Sequence, residues 1–256
     1  MYSLEHINYL KKLRKEKIII SIFRILIVFI FLIVWELLSK YNIINTFLFS
    51  SPSRIIKTLT SIELFKHIKI TLYEVIISFI LSTFIGIFIA SIMWRYKIFS
   101  KIIDPYITVF NSLPKVALGP LFIIWVGAST KSIIVMAITI SVFTTIINIY
   151  NGFINVNENY ILLMKSFKAS KLQIFRKVVL PNNIGNIIAT LKINISLSLI
   201  GVIMGELLVS KEGLGYLIMY GSQVFNLDLV ISSIFVLGII SYFMYFIINT
   251  IEKRLV

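Results

Sequence analysis

The sequence contains no cysteine and only two histidines, His6 and His67, among its 256 residues. Without cysteine the chain can form no disulfide and offers no thiolate to a metal ion. The two histidines lie in different polar regions, so neither a histidine metal cluster nor a catalytic triad is expected. No G-x-x-x-x-G-K-[ST] segment occurs, so no P-loop for ATP is predicted. The sequence therefore predicts no cofactor and no enzyme, with a membrane enzyme that uses scattered carboxylates as the alternative.

Charged residues are also scarce. They make up 14% of the chain, compared with about 25% in a typical soluble domain. Hydrophobic residues make up 58%, and the mean hydropathy is +0.96, which indicates an integral membrane protein. The net charge of +14 fits basic residues retained on the cytoplasmic side of a membrane. Nucleic-acid binding is not expected, because no basic face recurs outside the loops between the apolar segments.

Six apolar segments each reach the roughly 20 residues that a bilayer core requires. They cover about 18–38, 70–94, 103–126, 132–153, 182–208 and 229–251. The sequence therefore predicts an all-α integral membrane protein with six transmembrane helices. A basic stretch precedes the first segment, but no small-residue cleavage site follows it. That segment is expected to remain as a helix rather than to be removed as a signal peptide.

The distribution of lysine and arginine orients these helices. A cytoplasmic N-terminus places 15 of these residues inside and 7 outside. Both termini and residues 158–181 are therefore predicted to be cytoplasmic. We divide the chain into residues 1–69 (N-tail, first helix and outer loop), one membrane domain at 70–251, and a C-tail at 252–256. Within the outer loop, residues 52–65 are predicted to form a short interfacial helix.

Residues 158–181 form the longest polar interruption in the second half of the chain. They contain five cations and one anion, Glu158. Ser170 followed by Gln173 is typical of a capping box, in which each side chain accepts a hydrogen bond from a backbone N–H at a helix start. Pro181 cannot continue a helix but is suited to open the next one.

The apolar residues of this segment have helical spacing. Leu172, Phe175 and Val179 are predicted to share one face of a helix. We therefore expect two short amphipathic helices, joined near Ala169 and held between two membrane spans. We interpret them as a docking surface.

Charges inside the predicted spans are expensive and need partners or water. Lys115 lies between Pro114 and Pro120, which break or kink a helix, and broken helices often line a pathway. Lys115 therefore either faces a translocation pathway or pairs with a carboxylate. Lys192 is nearer the cytoplasmic end, where snorkelling or pairing is expected. Glu206 either braces the loop after its segment or lies near a substrate entrance.

The second half of the chain resembles the membrane subunits (permeases) of bacterial ABC importers with the binding-protein-dependent type I fold. Their cytoplasmic loop has the pattern E-A-A, three residues, Gly, nine residues, I-x-L-P. Residues 178–181 (VVLP) match its end, and counting back places the glycine at Lys168 and E-A-A at 162–164. The chain departs from the pattern at the glutamate, both alanines and the glycine. It keeps the spacing and Ala169-Ser170.

Two further stretches narrow the resemblance. Residues 104–127 and 199–218 are similar to the branch of the family that handles nitrate, sulfonates, taurine and related compounds. A thiamine-precursor (pyrimidine) group shares that branch. The similarity extends from about Thr71 to Arg254.

The resemblance implies a subunit of an ATP-driven importer in a bacterial cell membrane (inner or plasma membrane). It would pair with a second permease copy in a homodimer, with ABC ATP-binding subunits beneath and an extracellular or periplasmic substrate-binding protein above. Residues 158–181 would supply the coupling helices. The contacts to the ATPase are expected at Leu162, Lys168, Ala169, Ser170, Phe175, Leu180 and Pro181.

The resemblance also bears on the solute. A candidate translocation pathway includes Pro114, Lys115 and Glu206. A lysine on the pathway favours a small anion such as a sulfonate, taurine or nitrate. A thiamine-precursor pyrimidine carried by the same machine is the alternative, and a stand-alone secondary transporter or channel is a further one. ATP hydrolysis is expected on a separate subunit.

Overall fold

The computed structural model describes residues 4–61 and 63–255. Most of these residues are helical. The helices, in chain order, are α1 (Leu4–Lys40), α2 (Thr46–Phe49), α3 (Pro52–Ser61), α4 (Leu64–Arg95), α5 (Lys97–Ser112), α6 (Gly119–Val126), α7 (Thr130–Ile154), α8 (Glu158–Ser166), α9 (Lys171–Ile174), α10 (Leu180–Asn182), α11 (Ile184–Val209), α12 (Leu214–Gln223) and α13 (Leu227–Leu255). A 3₁₀ turn at Lys115–Leu118 precedes α6, and a π-helical turn at Phe175–Val179 joins α9 to α10.

Five of the described helices are long and apolar enough to cross a membrane, namely α1 (over Lys12–Lys40), α4, α7, α11 and α13. The pair formed by α5 and Lys115–Val126 is apolar enough as well but is bent by 88°, so the described residues contain five candidate spans, or six if this bent pair is one span. The predicted all-α membrane fold is therefore confirmed. Residues 1–3, Ile62 and Val256 of the predicted division lie outside the described residues.

The third apolar segment, predicted over 103–126 with a break or kink at its prolines, is two helices, α5 and α6. The chain leaves the α-helical conformation at Leu113 (φ −64°, ψ 144°) and Pro114 (φ −71°, ψ 82°). The reason is steric, because a proline ring disfavours the α conformation of the residue before it. Pro120 lies in the first turn of α6, where its missing N–H leaves no helical bond unmade.

The centre of the bundle is α7, which packs between α4 and α11. Small residues allow the backbones to approach closely. A Cβ added at Gly201 would lie 2.5 Å from Ala137 Cα, and one added at Gly205 would lie 3.0 Å from Ile133 Cα. Small residues at helix contacts are typical of membrane proteins, in which association depends on close packing.

The N-terminal helix lies apart from this centre. Its apolar side chains are exposed in the chain by itself, which suits contact with lipid acyl chains. Its C-terminal end is tied to α3, because Glu36 accepts hydrogen bonds from Ser53 N at 3.0 Å and from Ser53 Oγ at 2.8 Å. The short helix predicted at 52–65 is present as α3, and it ends at Ser61. Its position at the membrane interface stays a prediction.

Candidate functional site

Residues 158–182, which contain the predicted docking surface, form two helical arms between the end of α7 and the start of α11. The first arm is α8. Asn157 caps its N-terminus, because the Asn157 Oδ1 accepts a hydrogen bond from Asn159 N at 2.9 Å. Glu158 in its first turn and Lys165 in its last turn both complement the helix dipole.

The first arm ends in a left-handed cap at Lys168. This residue has φ +56°, and its N–H donates to Lys165 O at 2.8 Å while Ala169 N donates to Met164 O at 3.0 Å. The two bonds are those of a Schellman motif, which usually places glycine at the left-handed position. The family pattern also has glycine here, so the fold keeps the conformation although the residue is a lysine.

The second arm starts with the predicted capping box, which is confirmed. Gln173 N donates to Ser170 Oγ at 3.3 Å, and Ser170 N donates to Gln173 Oε1 at 2.7 Å. Pro181 lies in the first turn of the next helix, α10, as predicted. That helix is short and still belongs to the arm, because it ends at Asn182 and the span α11 begins only at Ile184.

The buried face of the second arm differs from the predicted one. The π-helical turn rotates the side chains, so that Ile174 and Val179 are buried whereas Leu172 is 54% exposed. Phe175 packs on Trp94 with ring centroids 5.1 Å apart and on Phe153 at 5.3 Å. These contacts fix the base of the arm against α4 and α7.

The outer surface of the arms combines apolar and basic side chains. Leu162 is 56% exposed and Phe167 is 74% exposed. The five cations of the segment take part in no ion pair with any residue that the structure describes. A groove of about 260 Å³ runs between the arms and the α4–α5 turn, with Trp94 and Ile174 among its apolar lining and Arg95 among its cations. Exposed apolar groups beside free cations form a surface suited to a protein partner.

At the opposite end of the bundle, Glu206 fixes the loop between α11 and α12. Its Oε2 accepts from Gly215 N at 2.5 Å, and its Oε1 accepts from Thr71 Oγ1 at 2.7 Å. Thr71 Oγ1 in turn accepts from Leu214 N at 2.9 Å. Of the two roles considered for Glu206, this geometry is that of a loop brace.

Two more contacts tie the same loop to the N-terminal end of α4. Gly213 N donates to His67 Nδ1 at 3.0 Å, and Lys66 Nζ lies 2.5 Å from Glu212 Oε1. Gly213 has φ +103°, and a Cβ there would meet the Glu206 carboxyl group. The loop is therefore held on one side by α4 and on the other by α11.

Lys115 lies at the bend of the third span. Its Nζ donates to Asn111 Oδ1 at 3.1 Å, and Thr144 Oγ1 donates to the same oxygen at 3.0 Å. Within the described residues no carboxylate pairs with Lys115, which argues against the alternative that it is held by an ion pair. Lys192, in contrast, pairs with Glu252 at 2.5 Å and donates to Asn249 Oδ1 at 3.1 Å.

The sequence predicts for Glu74 no role beyond that of an interface charge, and the structure contradicts this, because the residue is buried inside the bundle. Its side chain is fully buried in α4, and neither carboxyl oxygen has a hydrogen-bond partner among the described residues. The sequence signal was present, because Glu74 is a lone acid in an apolar run. It was missed because Glu74 lies near the start of the span predicted at 70–94, whereas α4 begins at Leu64 and places Glu74 well inside the helix.

The geometry defines the class of protein. The bundle has several apolar spans, two helical arms that project from one end and a braced loop at the other. This arrangement is that of a membrane transport subunit that works with protein partners. The chain belongs to the family of binding-protein-dependent transport system inner membrane components, whose sequence profile matches residues 82–256. It is therefore the permease subunit of an ABC importer and not an enzyme. The family implies an ATP-binding subunit and a substrate-binding protein as partners.

Named relatives support this assignment. A "Probable ABC transporter permease protein" of Haemophilus influenzae is 29% identical over 91% of this chain and 96% of that protein. The formylaminopyrimidine transport permease protein ThiX of Halalkalibacterium halodurans is 28% identical over 88% of this chain and 90% of its own length. The taurine transport system permease protein TauC of Escherichia coli is 23% identical over 88% and 86%.

A solved structure shows the same fold. A chain of the MetNI methionine ABC transporter, in an inward-facing conformation, superposes with a TM-score of 0.68. The match covers 75% of this chain and 96% of that chain at 19% identity.

Proposed function

We propose that this permease, paired with a second copy of itself, forms the translocation pathway of an importer for a small organic solute. The observation that carries the proposal is the pair of arms at 158–166 and 171–182. They expose apolar and basic groups on the outside while their inner faces are packed into the bundle. A partner that moves these arms therefore also moves the membrane helices.

We further propose that the arms and both termini are in the cytoplasm of the bacterial cell, with the bundle in its inner or plasma membrane. The charge distribution supports this orientation, because lysine and arginine are retained inside. At the end assigned to the outside, Arg54 pairs with Asp228 at 3.0 Å and Lys66 pairs with Glu212 at 2.5 Å. Two of the seven outer cations are therefore paired, whereas the five cations of the arms pair with no described carboxylate and remain available to an ATP-binding subunit.

The coupling residues differ in what they contact. Leu162 and Lys168 are exposed and would touch the ATP-binding subunit. Ala169 and Ser170 form the junction between the arms, and Phe175 and Leu180 pack into the bundle. Pro181, at the base of the second arm, would keep that arm rigid where force passes to α11, because its ring fixes one backbone dihedral.

A pair of matched substitutions tests the docking surface. Phe167 and Phe225 are exposed to 74% and 73%, and they lie in turns at opposite ends of the bundle. Phe167→Asp is expected to reduce co-purification of the ATP-binding subunit at least about tenfold, because it places an unsolvated charge in the contact. Phe225→Asp should leave it unchanged. Equal retention by both variants would remove the arms as the docking surface.

The solute itself is proposed from Lys115. Its ammonium group lies where the third span breaks, with one side-chain acceptor and no paired carboxylate among the described residues. Together with the break at Pro114 it makes a candidate pathway that favours a small anionic group such as a sulfonate, whereas Glu206 is occupied by the loop brace. The likeness to ThiX favours an aminopyrimidine as the second candidate. Uptake of labelled taurine and of labelled 4-amino-2-methylpyrimidine, each measured with the complete transporter, would separate the two.

A further inference from the structure

Glu74 is a buried carboxyl group without a hydrogen-bond donor. It is 0% exposed, and neither oxygen is hydrogen-bonded within the described part of the chain. Its polar neighbours are the Glu206 carboxyl and the Thr130 hydroxyl. Glu206 accepts from Thr71 Oγ1 and Gly215 N, and the Thr130 hydroxyl does not reach either Glu74 oxygen at hydrogen-bond geometry. A buried acid in this state has a strong requirement for N–H or O–H donors, because desolvation is not offset by partners.

A cavity lies beside this carboxyl group at the outer ends of α4, α7 and α11. Its volume is about 800 Å³, within the range of roughly 300–1,000 Å³ that is usual for small-molecule sites. Glu74 and Tyr73 line one wall, and Ser129, Thr130 and Ser210 contribute polar groups. Tyr73 is 59% exposed, so the face of its ring is available to a ligand.

We propose that Glu74 is a solute subsite that accepts hydrogen bonds from an amino nitrogen of the transported molecule. The inference rests on the proposed function, since it assumes that solute enters from this end. Two unpartnered acceptor oxygens fit a group with two N–H bonds, either a primary ammonium or an amino group on a heteroaromatic ring. The Tyr73 ring would add a stacking or cation–π contact.

This subsite narrows the solute class. A solute without an N–H group, such as nitrate or a simple alkanesulfonate, would leave Glu74 without a donor. An aminosulfonate or an aminopyrimidine satisfies the carboxyl group. A metal ion is disfavoured, because no group of three or more histidine, aspartate and glutamate side chains suited to a metal exists in the described residues.

The test uses the full chain in lipid nanodiscs and saturation-transfer NMR with four probes. Taurine and 4-amino-2-methylpyrimidine carry the amino group, whereas ethanesulfonate and 2-methylpyrimidine lack it. The first two are expected to bind at least about tenfold more tightly than their partners. Glu74→Met should abolish this preference. The matched control is Glu212→Met, which changes another acid of the same cavity and should keep it.

Folding and docking are measured on the same samples. Glu74→Met is expected to raise the melting temperature, since it removes a buried unsatisfied group, and to retain the ATP-binding subunit. Tyr73→Leu is a second variant and should weaken the aminopyrimidine more than taurine. Absence of binding by either amino probe, equal binding of all four, or an unchanged preference in folded Glu74→Met would each overturn the subsite. Loss of the ATP-binding subunit from the unmodified chain would instead count against the proposed function.

Discussion

Thr71 and Glu206 are separated by 135 positions in the sequence, yet the hydroxyl of one donates to the carboxyl group of the other at 2.7 Å. The same hydroxyl accepts from Leu214 N at 2.9 Å. One side chain of α4 thus holds both the end of α11 and the start of α12. The loop between α11 and α12 is fixed by helices that are distant in sequence.

Replacement of Thr71 by valine is expected to destabilise the protein by about 2–3 kcal/mol, because it leaves Leu214 N–H without its acceptor and one Glu206 oxygen without its donor. The measurement is the free energy of unfolding in a denaturing-detergent titration. Thr139→Val is the matched control, since the Thr139 hydroxyl donates only within its own helix, to Val135 O at 2.8 Å. Its cost should stay below about 1 kcal/mol. Equal effects of the two substitutions would contradict the bracing role.

Gly213 and Gly127 separate backbone conformation from space. Both have positive φ, +103° and +86°, but a Cβ meets the Glu206 carboxyl at Gly213 and nothing within 4 Å at Gly127. Alanine at Gly127 should therefore cost only the conformational term, about 1–2 kcal/mol. Alanine at Gly213 should cost more, because it also displaces the brace. Thermal melting of the two variants checks the order, and a reversed order would show that the loop adjusts freely.

Lys168→Gly is expected to stabilise the protein by about 0.5–1 kcal/mol, because glycine adopts the left-handed cap without steric conflict. Lys165→Gly is the control at a right-handed position of the same arm and should destabilise by about 1 kcal/mol. Denaturant titration of the full chain measures both. A loss of stability in Lys168→Gly would mean that the lysine side chain contributes more than its backbone conformation costs.

Lys115→Met is expected to lower solute uptake by the complete transporter at least about tenfold, because the methionine removes the ammonium group at the break in the third span. Co-purification of the ATP-binding subunit should not change. Lys192→Met is the comparison, since it removes a cation that already pairs with Glu252, and it should reduce stability more than uptake. Normal uptake by Lys115→Met would remove this residue from the pathway.

Local sequence signals were reliable where the physics is local. The Ser170–Gln173 capping box and the break at Pro114 depend on neighbouring residues, and the structure shows both. The face of the second arm was predicted wrongly at Leu172, because helical spacing assumes 3.6 residues per turn and the π-helical turn departs from it.

The sequence by itself determined that this protein lies in a membrane, which segments are apolar enough to cross it and which parts of the chain carry the excess of cations. Those properties follow from transfer free energies that are summed residue by residue along the chain. Only the tertiary structure decided that Glu206 receives donors and that Glu74 does not, and that the third span bends by 88°. These outcomes depend on which distant side chains meet, and a linear pattern of apolar residues does not specify that.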